Sequence, residues 1–181
     1  LLKKARAYDD EALGELYDRY APRIYAYLYQ RVGNAQLAED LTGEVFVRML
    51  EAIRAQRAWH TSFKAWLYRI AHNLVVDHYR RHPPAPDLPI KEELMAAQST
   101  LDSVVAERLS RQRLWAAIRQ LTPDQQNVIT LRFGQQFTSR EVAEIIEKSV
   151  SAVESLQHRA IASLRRILEK DDGREIVRSD S

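Results

Sequence analysis

Four of the chain's six prolines fall within seven residues, in the run His82-Pro83-Pro84-Ala85-Pro86-Asp87-Leu88-Pro89. A helix cannot continue through such a run, because each proline lacks an N–H donor and its ring blocks the preceding turn. The segment reads as extended and solvated. It splits the 181 residues into a first body over 1–82 and a second over 107–170. A linker over 83–106 joins them, and 171–181 reads as a frayed tail. Bodies of about 65 to 80 residues hold marginal cores and are often completed by partners.

Both bodies read as all-α. Ala, Leu, Arg, Glu and Gln abound, Gly numbers only 5, and period-2 alternation is nearly absent. Cys is absent, which excludes a disulfide scaffold, a thiol nucleophile and any cysteine-based metal site. Apolar runs are short, as in Leu74-Val75-Val76. Neither a membrane span nor a signal-peptide core can be built from them, so a soluble cytoplasmic protein is the default expectation. The formal net charge of +2 neither demands nor forbids nucleic acid. Arginine greatly outnumbers lysine, and its planar fork suits phosphates and base edges as well as surface ion pairs.

The first body is expected to hold four helices. Residues 11–30 bring Leu13, Leu16, Tyr17, Tyr20, Ile24, Tyr27 and Leu28 inward, and Pro22 is a point where this helix can kink or divide. Gly33 is a stop signal and Asn34 an N-cap. Over 35–53, Leu37, Leu41, Val45, Met49 and Ile53 recur every four residues, with Asp40, Glu44, Arg48 and Glu51 opposite. Gly43 sits in mid-helix, either tolerated or marking a close approach by a partner helix. The helix over 63–82 is expected to bury Trp66, Ile70 and Leu74. Asn73, Asp77, Arg80 and Arg81 share its other face. Aromatics beside Arg and Asn suit unstacked bases. Phe63 and Trp66 are better explained as core; Trp59, in the loop, is the better candidate for exposure.

The second body has clear punctuation. Thr122-Pro123-Asp124-Gln125 is a capping box with Pro at the first helical position, opening a helix to Phe133 that Gly134 ends. Thr138-Ser139-Arg140-Glu141 is another capping box. It opens a short helix, followed by the turn Glu147-Lys148-Ser149 and a longer helix over about 151–170. Short helix, tight turn and second helix form a helix-turn-helix pattern. Ser155, His158 and Arg159 project from one side of the second helix.

Together these segments resemble a bacterial extracytoplasmic-function (ECF, group 4) RNA polymerase sigma factor, the minimal two-domain class. Residues 38–48, Ala-Glu-Asp-Leu-Thr-Gly-Glu-Val-Phe-Val-Arg, resemble the family's polymerase-docking segment. Residues 63–73, Phe-Lys-Ala-Trp-Leu-Tyr-Arg-Ile-Ala-His-Asn, with Asp77-His78-Tyr79-Arg80-Arg81, resemble its promoter-melting and −10-reading helix. Leu121-Thr122-Pro123, Glu141-Val142-Ala143-Glu144-Ile145 and residues 152–160 resemble its −35-reading helix-turn-helix.

The resemblance implies a region 2 bundle over 1–82 and a region 4 helix-turn-helix over 107–170. It implies a transcription initiation factor rather than an enzyme, without cofactor or metal and monomeric when free. Its partners would be core RNA polymerase, promoter DNA and an anti-sigma factor. Asp40, Glu44, Arg48 and Glu51 would bind polymerase. Trp59, His60, Asn73, Asp77, Tyr79, Arg80 and Arg81 would hold the −10 element, with the 55–62 loop lining a base pocket. Arg140, Glu154, Ser155, His158 and Arg159 would serve the −35 element.

Three positions depart from the family's habit. Gly43 replaces a polar residue. Glu147 stands where the turn commonly carries Gly and must accept a less comfortable backbone or a different turn. Glu154 replaces a common Lys or Arg, and has three readings: a capping box with Ser151, an acceptor for a cytosine amino group, or a weakening of phosphate binding. A dimeric repressor would leave the first body unexplained and shows no heptad seam. His72, His78 and His82 lack a His-Glu-x-x-His pattern, and neither a phosphate loop nor a nucleophile elbow occurs.

Overall fold

A computed structural model describes the backbone over 1–60, 62–83 and 101–179, and side chains over 1–60, 62–83 and 110–170. The proline run from Pro84 onward therefore lies outside the described residues. The chain divides into two compact units, and no strand occurs among the described residues.

The N-terminal unit holds α1 (Leu2–Arg6), α2 (Asp10–Val32), α3 (Ala35–Arg54) and α4 (Phe63–Arg81). Four helices are present, but the first is the short α1, and Pro22 does not divide α2. Pro22 faces solvent, so water can satisfy the carbonyl its missing N–H leaves free. Side chains start three of these helices: Asp9, Asn34 and Ser62 accept from the N–H groups of Ala12, Leu37 and Ala65. Gly33 ends α2 at φ 65° and bonds back to the Tyr29 carbonyl.

The core joins Leu16, Ile24, Tyr27 and Leu28 of α2 to Val45 and Met49 of α3 and Leu67, Tyr68 and Val75 of α4, all nearly inaccessible. The Tyr27 and Tyr68 rings meet at 5.3 Å. Burial pushes the Tyr27 hydroxyl up to about 12 and raises that of Tyr68. Tyr17, expected inward, is 49% exposed and packs edge-on against Phe46 instead.

The C-terminal half of the chain holds α5 (Leu101–Arg119), α6 (Pro123–Ile129), a π-helical turn (Thr130–Gly134), α7 (Ser139–Ile146) and α8 (Val150–Ser179). Helix α5 begins six residues ahead of the expected boundary, and α8 runs on through most of the expected tail. Both capping boxes form: Thr122 with Gln125, and Thr138 with Glu141. Gly134 does not act as the left-handed helix stop. The chain winds through the wider π turn, and Gln136 takes the left-handed backbone at φ 57°. Ile118, Leu121, Ile129 and Ala160 form a core cluster, with Trp115, Ile161, Leu164 and Ile167 packed on it.

Candidate nucleic-acid and polymerase interfaces

The polar side of α3 is exposed as the sequence requires. Glu44 pairs with Arg48 at 2.8 Å, and Asp40 accepts from Gln36 at 3.2 Å. Glu51 is exposed on the same stripe. So is Val47, at 49%, which sequence reasoning passed over because its apolar neighbours Val45 and Phe46 are core. A Cβ on Gly43 would meet nothing within 4 Å, so nothing among the described residues requires the glycine. The stripe is a mainly acidic surface carrying one apolar side chain and a gap in side-chain cover.

Helix α4 corrects the expected orientation. Its buried residues include Leu67, Tyr68, Ala71, Leu74 and Val75, whereas Trp66 and Ile70 are only half-buried. The two fall in register with Asn73, Asp77 and Arg80 at alternating spacings of four and three, which place them along one helical face. The half-buried stripe is therefore aromatic and apolar at its start and polar and charged at its end. Asp77 pairs with Arg80 at 3.2 Å, and Arg81 is exposed. The rings of His78 and His82 stack at 4.9 Å. Desolvation, then His82 and Arg81, push the His78 imidazole down. The Tyr79 hydroxyl donates to the Arg31 carbonyl at 2.6 Å. That bond ties the end of α4 to the end of α2, and burial raises the phenol.

The expected exposure of Trp59 is overturned. Its side chain is 5% exposed, with Phe63 at 4.7 Å and Trp66 at 5.5 Å. Arg6 lies 4.7 Å over the ring and also donates to the Trp59 carbonyl. A loop tryptophan this large gains more from joining a core than from water. Its partner Arg6 stands 53 positions away, so no local pattern announces the contact. His60 is exposed beside it.

The helix-turn-helix is built as expected in outline. Glu147 takes the left-handed backbone at φ 55°, and Lys148 N–H returns to the Ala143 carbonyl at 3.0 Å. That closing bond is the usual helix stop in which Gly is favoured; here Glu bears it. Lys148 also pairs with Asp124 at 3.2 Å, fastening the turn to α6. The cap of α8 is Ser149, which accepts from Ala152 N–H at 3.1 Å. Ser151 therefore does not cap the helix, and the capping-box reading of Glu154 falls.

Glu154, Ser155, His158 and Arg159 are exposed on α8, and Arg140 is exposed on α7. Arg159 donates to the Ser155 carbonyl at 3.3 Å. Arg132, on the π turn, donates to Gln157 of α8 at 3.0 Å and to the Phe137 carbonyl. This clip sets where α8 lies against α6, and only the fold reveals it. No helix among the described residues is long and apolar enough to cross a membrane.

Two sequence families match these two units: Sigma-70 region 2 over residues 16–83 and Sigma-70 region 4 over residues 111–164. Together they span more than half the chain. The two matched regions are those of a sigma-70 factor, the class of subunit that directs RNA polymerase to promoters.

Within that class, the chain belongs to the extracytoplasmic-function sigma factors. It is 40% identical over 174 residues to the ECF RNA polymerase sigma factor BldN of Streptomyces coelicolor, a match covering 94% of this chain and 66% of that protein. It is 29% identical over 170 residues to the RNA polymerase sigma factor YlaC of Bacillus subtilis, covering 92% and 98%. Among solved structures, the sigma factor RpoE, in complex with the anti-sigma factor NepR from Bartonella quintana, shares the fold. Its TM-score is 0.69 at 19% identity, covering 88% of this chain and 98% of that one.

Proposed function

We propose that this chain is a group 4 ECF sigma factor. It binds core RNA polymerase, reads −10 and −35 promoter elements with its two units, and is held in check by an anti-sigma factor. It acts in the cytoplasm, is monomeric when free, and performs no chemistry of its own. Region 2 spans 1–82, and region 4 runs from α5 through α8, with the linker ending where α5 begins at Leu101.

The polymerase contact is the α3 stripe of Asp40, Glu44, Arg48 and Glu51, with Val47 adding apolar area. Charges on such a face steer orientation and encounter, and reversing them sets like charges against the partner's, which costs several kcal/mol of binding. The −35 contact is the first turns of α8. Ser155, His158 and Arg159 face the major groove and Arg140 meets the backbone. Glu154, released from any capping duty, accepts from a cytosine amino group.

The −10 contact is the long face of α4. Asn73 bonds a base edge, and Arg80 and Arg81 hold phosphates. Exposed His60 replaces Trp59 as the loop's base-facing ring. Unstacking a base costs a few kcal/mol, and capture of the freed base offsets it. Neither unit needs tight binding alone, because tethering through polymerase raises the effective concentration of the second contact.

An anti-sigma factor covers these same faces in the inactive state. Support for that role comes from the Bartonella quintana complex, in which a sigma factor of this fold is bound by its anti-sigma factor.

The reading is carried by one observation above all. The chain exposes Glu154, Ser155, His158 and Arg159 together behind a helix-turn-helix turn, while its other unit bears the region 2 match. Run-off transcription with purified core enzyme and a genomic promoter library tests it. Transcripts should start at a restricted set of sites sharing two spaced elements. Initiation indistinguishable from core enzyme alone contradicts it.

A further inference from the structure

The 55–60 segment between α3 and α4 is exposed along most of its length. Ala55, Gln56, Arg57 and His60 all face solvent, and Trp59 is its one fully buried side chain. Its start is set by the stop of α3. Gln56 takes φ 55°, and Arg57 N–H returns to the Ala52 carbonyl at 2.8 Å. Beyond that point the seat of Trp59 decides where the segment lies.

Half of that seat is the local core of Phe63 and Trp66. The other half is Arg6, whose guanidinium covers the ring at 4.7 Å and donates to the Trp59 carbonyl. One side chain thus fixes both the ring and the backbone of the residue next to His60. A second contact runs the opposite way: Arg54, the last residue of α3, lies 4.6 Å over the ring of Tyr8, just past α1. Two arginines from different elements therefore clasp α1 to the end of α3. The result is a small open cleft lined by Arg6, Ile53, Gln56, Ala58, Trp59 and His60, one wall of which is Arg6 itself. Arg6 and Tyr8 both precede the residues matched by region 2, which begin at 16.

We propose that Arg6 is a positioning residue for promoter reading. By clamping Trp59, it holds the 55–60 segment so that His60 and the edge of the cleft meet the unpaired bases of the −10 element. The proposal rests on the assignment of that segment to the −10 contact. Arg6 itself spends its guanidinium on Trp59. Its removal changes where His60 stands rather than deleting a DNA contact.

The test uses holoenzyme reconstituted from the full chain and core RNA polymerase. The probe is a pool of fork-junction DNA, with a fixed duplex and a randomised single-stranded −10 segment. Base enrichment at each randomised position is compared for wild type, Arg6→Ala, Arg6→Lys and His60→Ala. Core affinity and thermal unfolding are measured for each.

Arg6→Ala should lower base preference roughly three- to tenfold, the scale of one cation–π contact with one charge-assisted hydrogen bond at a partly exposed site. The loss should fall at the positions that His60→Ala affects, with core affinity unchanged. Arg6→Lys keeps a cation over the ring but loses the fork, and should restore part of the preference. Should Arg6→Ala fail to fold, Arg6→Met keeps the stem packing and carries the same readouts.

Wild-type preference in Arg6→Ala, alongside a loss in His60→Ala, overturns the role of Arg6 and leaves the −10 assignment standing. An even loss at every position together with lower core affinity also overturns it, by showing a merely structural part. No effect from His60→Ala removes the −10 assignment of this segment, and the proposal with it.

Discussion

Replacing Arg132 with Ala removes the clip between the π turn and α8. The wild-type guanidinium donates to Gln157 Oε1 at 3.0 Å and to the Phe137 carbonyl. Hydrogen bonds from a charged group contribute about 1.5 to 3 kcal/mol when buried. Arg132 is only half-buried, so the pair together is taken at about 2 kcal/mol, near the low end of that range. Opening of the first turns of α8 should then become about 30-fold more frequent, at about 1.4 kcal/mol per tenfold. Amide hydrogen exchange on the full chain reads this directly, under conditions where reclosing outpaces exchange. Amides of the π turn and of α8 near Gln157 should exchange about 30-fold faster, while those in the core of α2 to α4 stay within about twofold. Gln157→Ala removes one of the two bonds and should give a smaller effect in the same place. Unchanged exchange in α8, or equal acceleration in both units, would refute the clip.

Ser149→Ala should cost about 1 kcal/mol by removing the α8 cap, whereas Ser151→Ala should stay within about 0.5 kcal/mol. Urea titration of both variants decides this, and the reverse ranking sinks the assignment. The N-terminal unit should lose stability at alkaline pH. Burial raises Tyr27 to about 12 and raises Tyr68 and Tyr79 above the usual 10.0. The folded state then keeps protons that the unfolded state releases, so this stabilisation is complete below about pH 10 and fades as pH climbs through the folded values. Denaturation midpoints for α2–α4 that stay level up to about pH 11 would contradict the linkage.

Much of the architecture was legible because its signals are local. Asn34, the Thr122–Gln125 pair and the Thr138–Glu141 pair each cap a helix within three residues, so residue order alone carries them. Helix stops were harder to read. Tyr8, Gln56, Gln136 and Glu147 all take positive φ although none is glycine, and the sequence marks only Glu147 as a position where either a strained backbone or a different turn is required. The seat of Trp59 depends on Arg6, and the placement of α8 on Arg132 reaching Gln157. Both contacts join residues far apart in the chain, and periodicity says nothing about them. On α4 size and hydrophobicity alone divide the stripe of Trp66, Ile70, Asn73, Asp77 and Arg80 at the wrong place, because large apolar residues read as inward. Ala71 and Tyr68 occupy that inner face, and Trp66 and Ile70 remain half-open beside Asn73.

Binding of the full chain to purified core RNA polymerase tests the central claim most directly, with wild type set against the double charge reversal Asp40→Lys and Glu44→Lys. Both residues are exposed, and the Glu44–Arg48 pair is a surface ion pair, so their loss should change folding stability by less than about 1 kcal/mol. The account predicts a stable one-to-one complex for wild type and loss of that complex for the folded double variant. Equal affinity of the two would remove α3 as the docking face, and absence of binding by wild type would contradict the account as a whole.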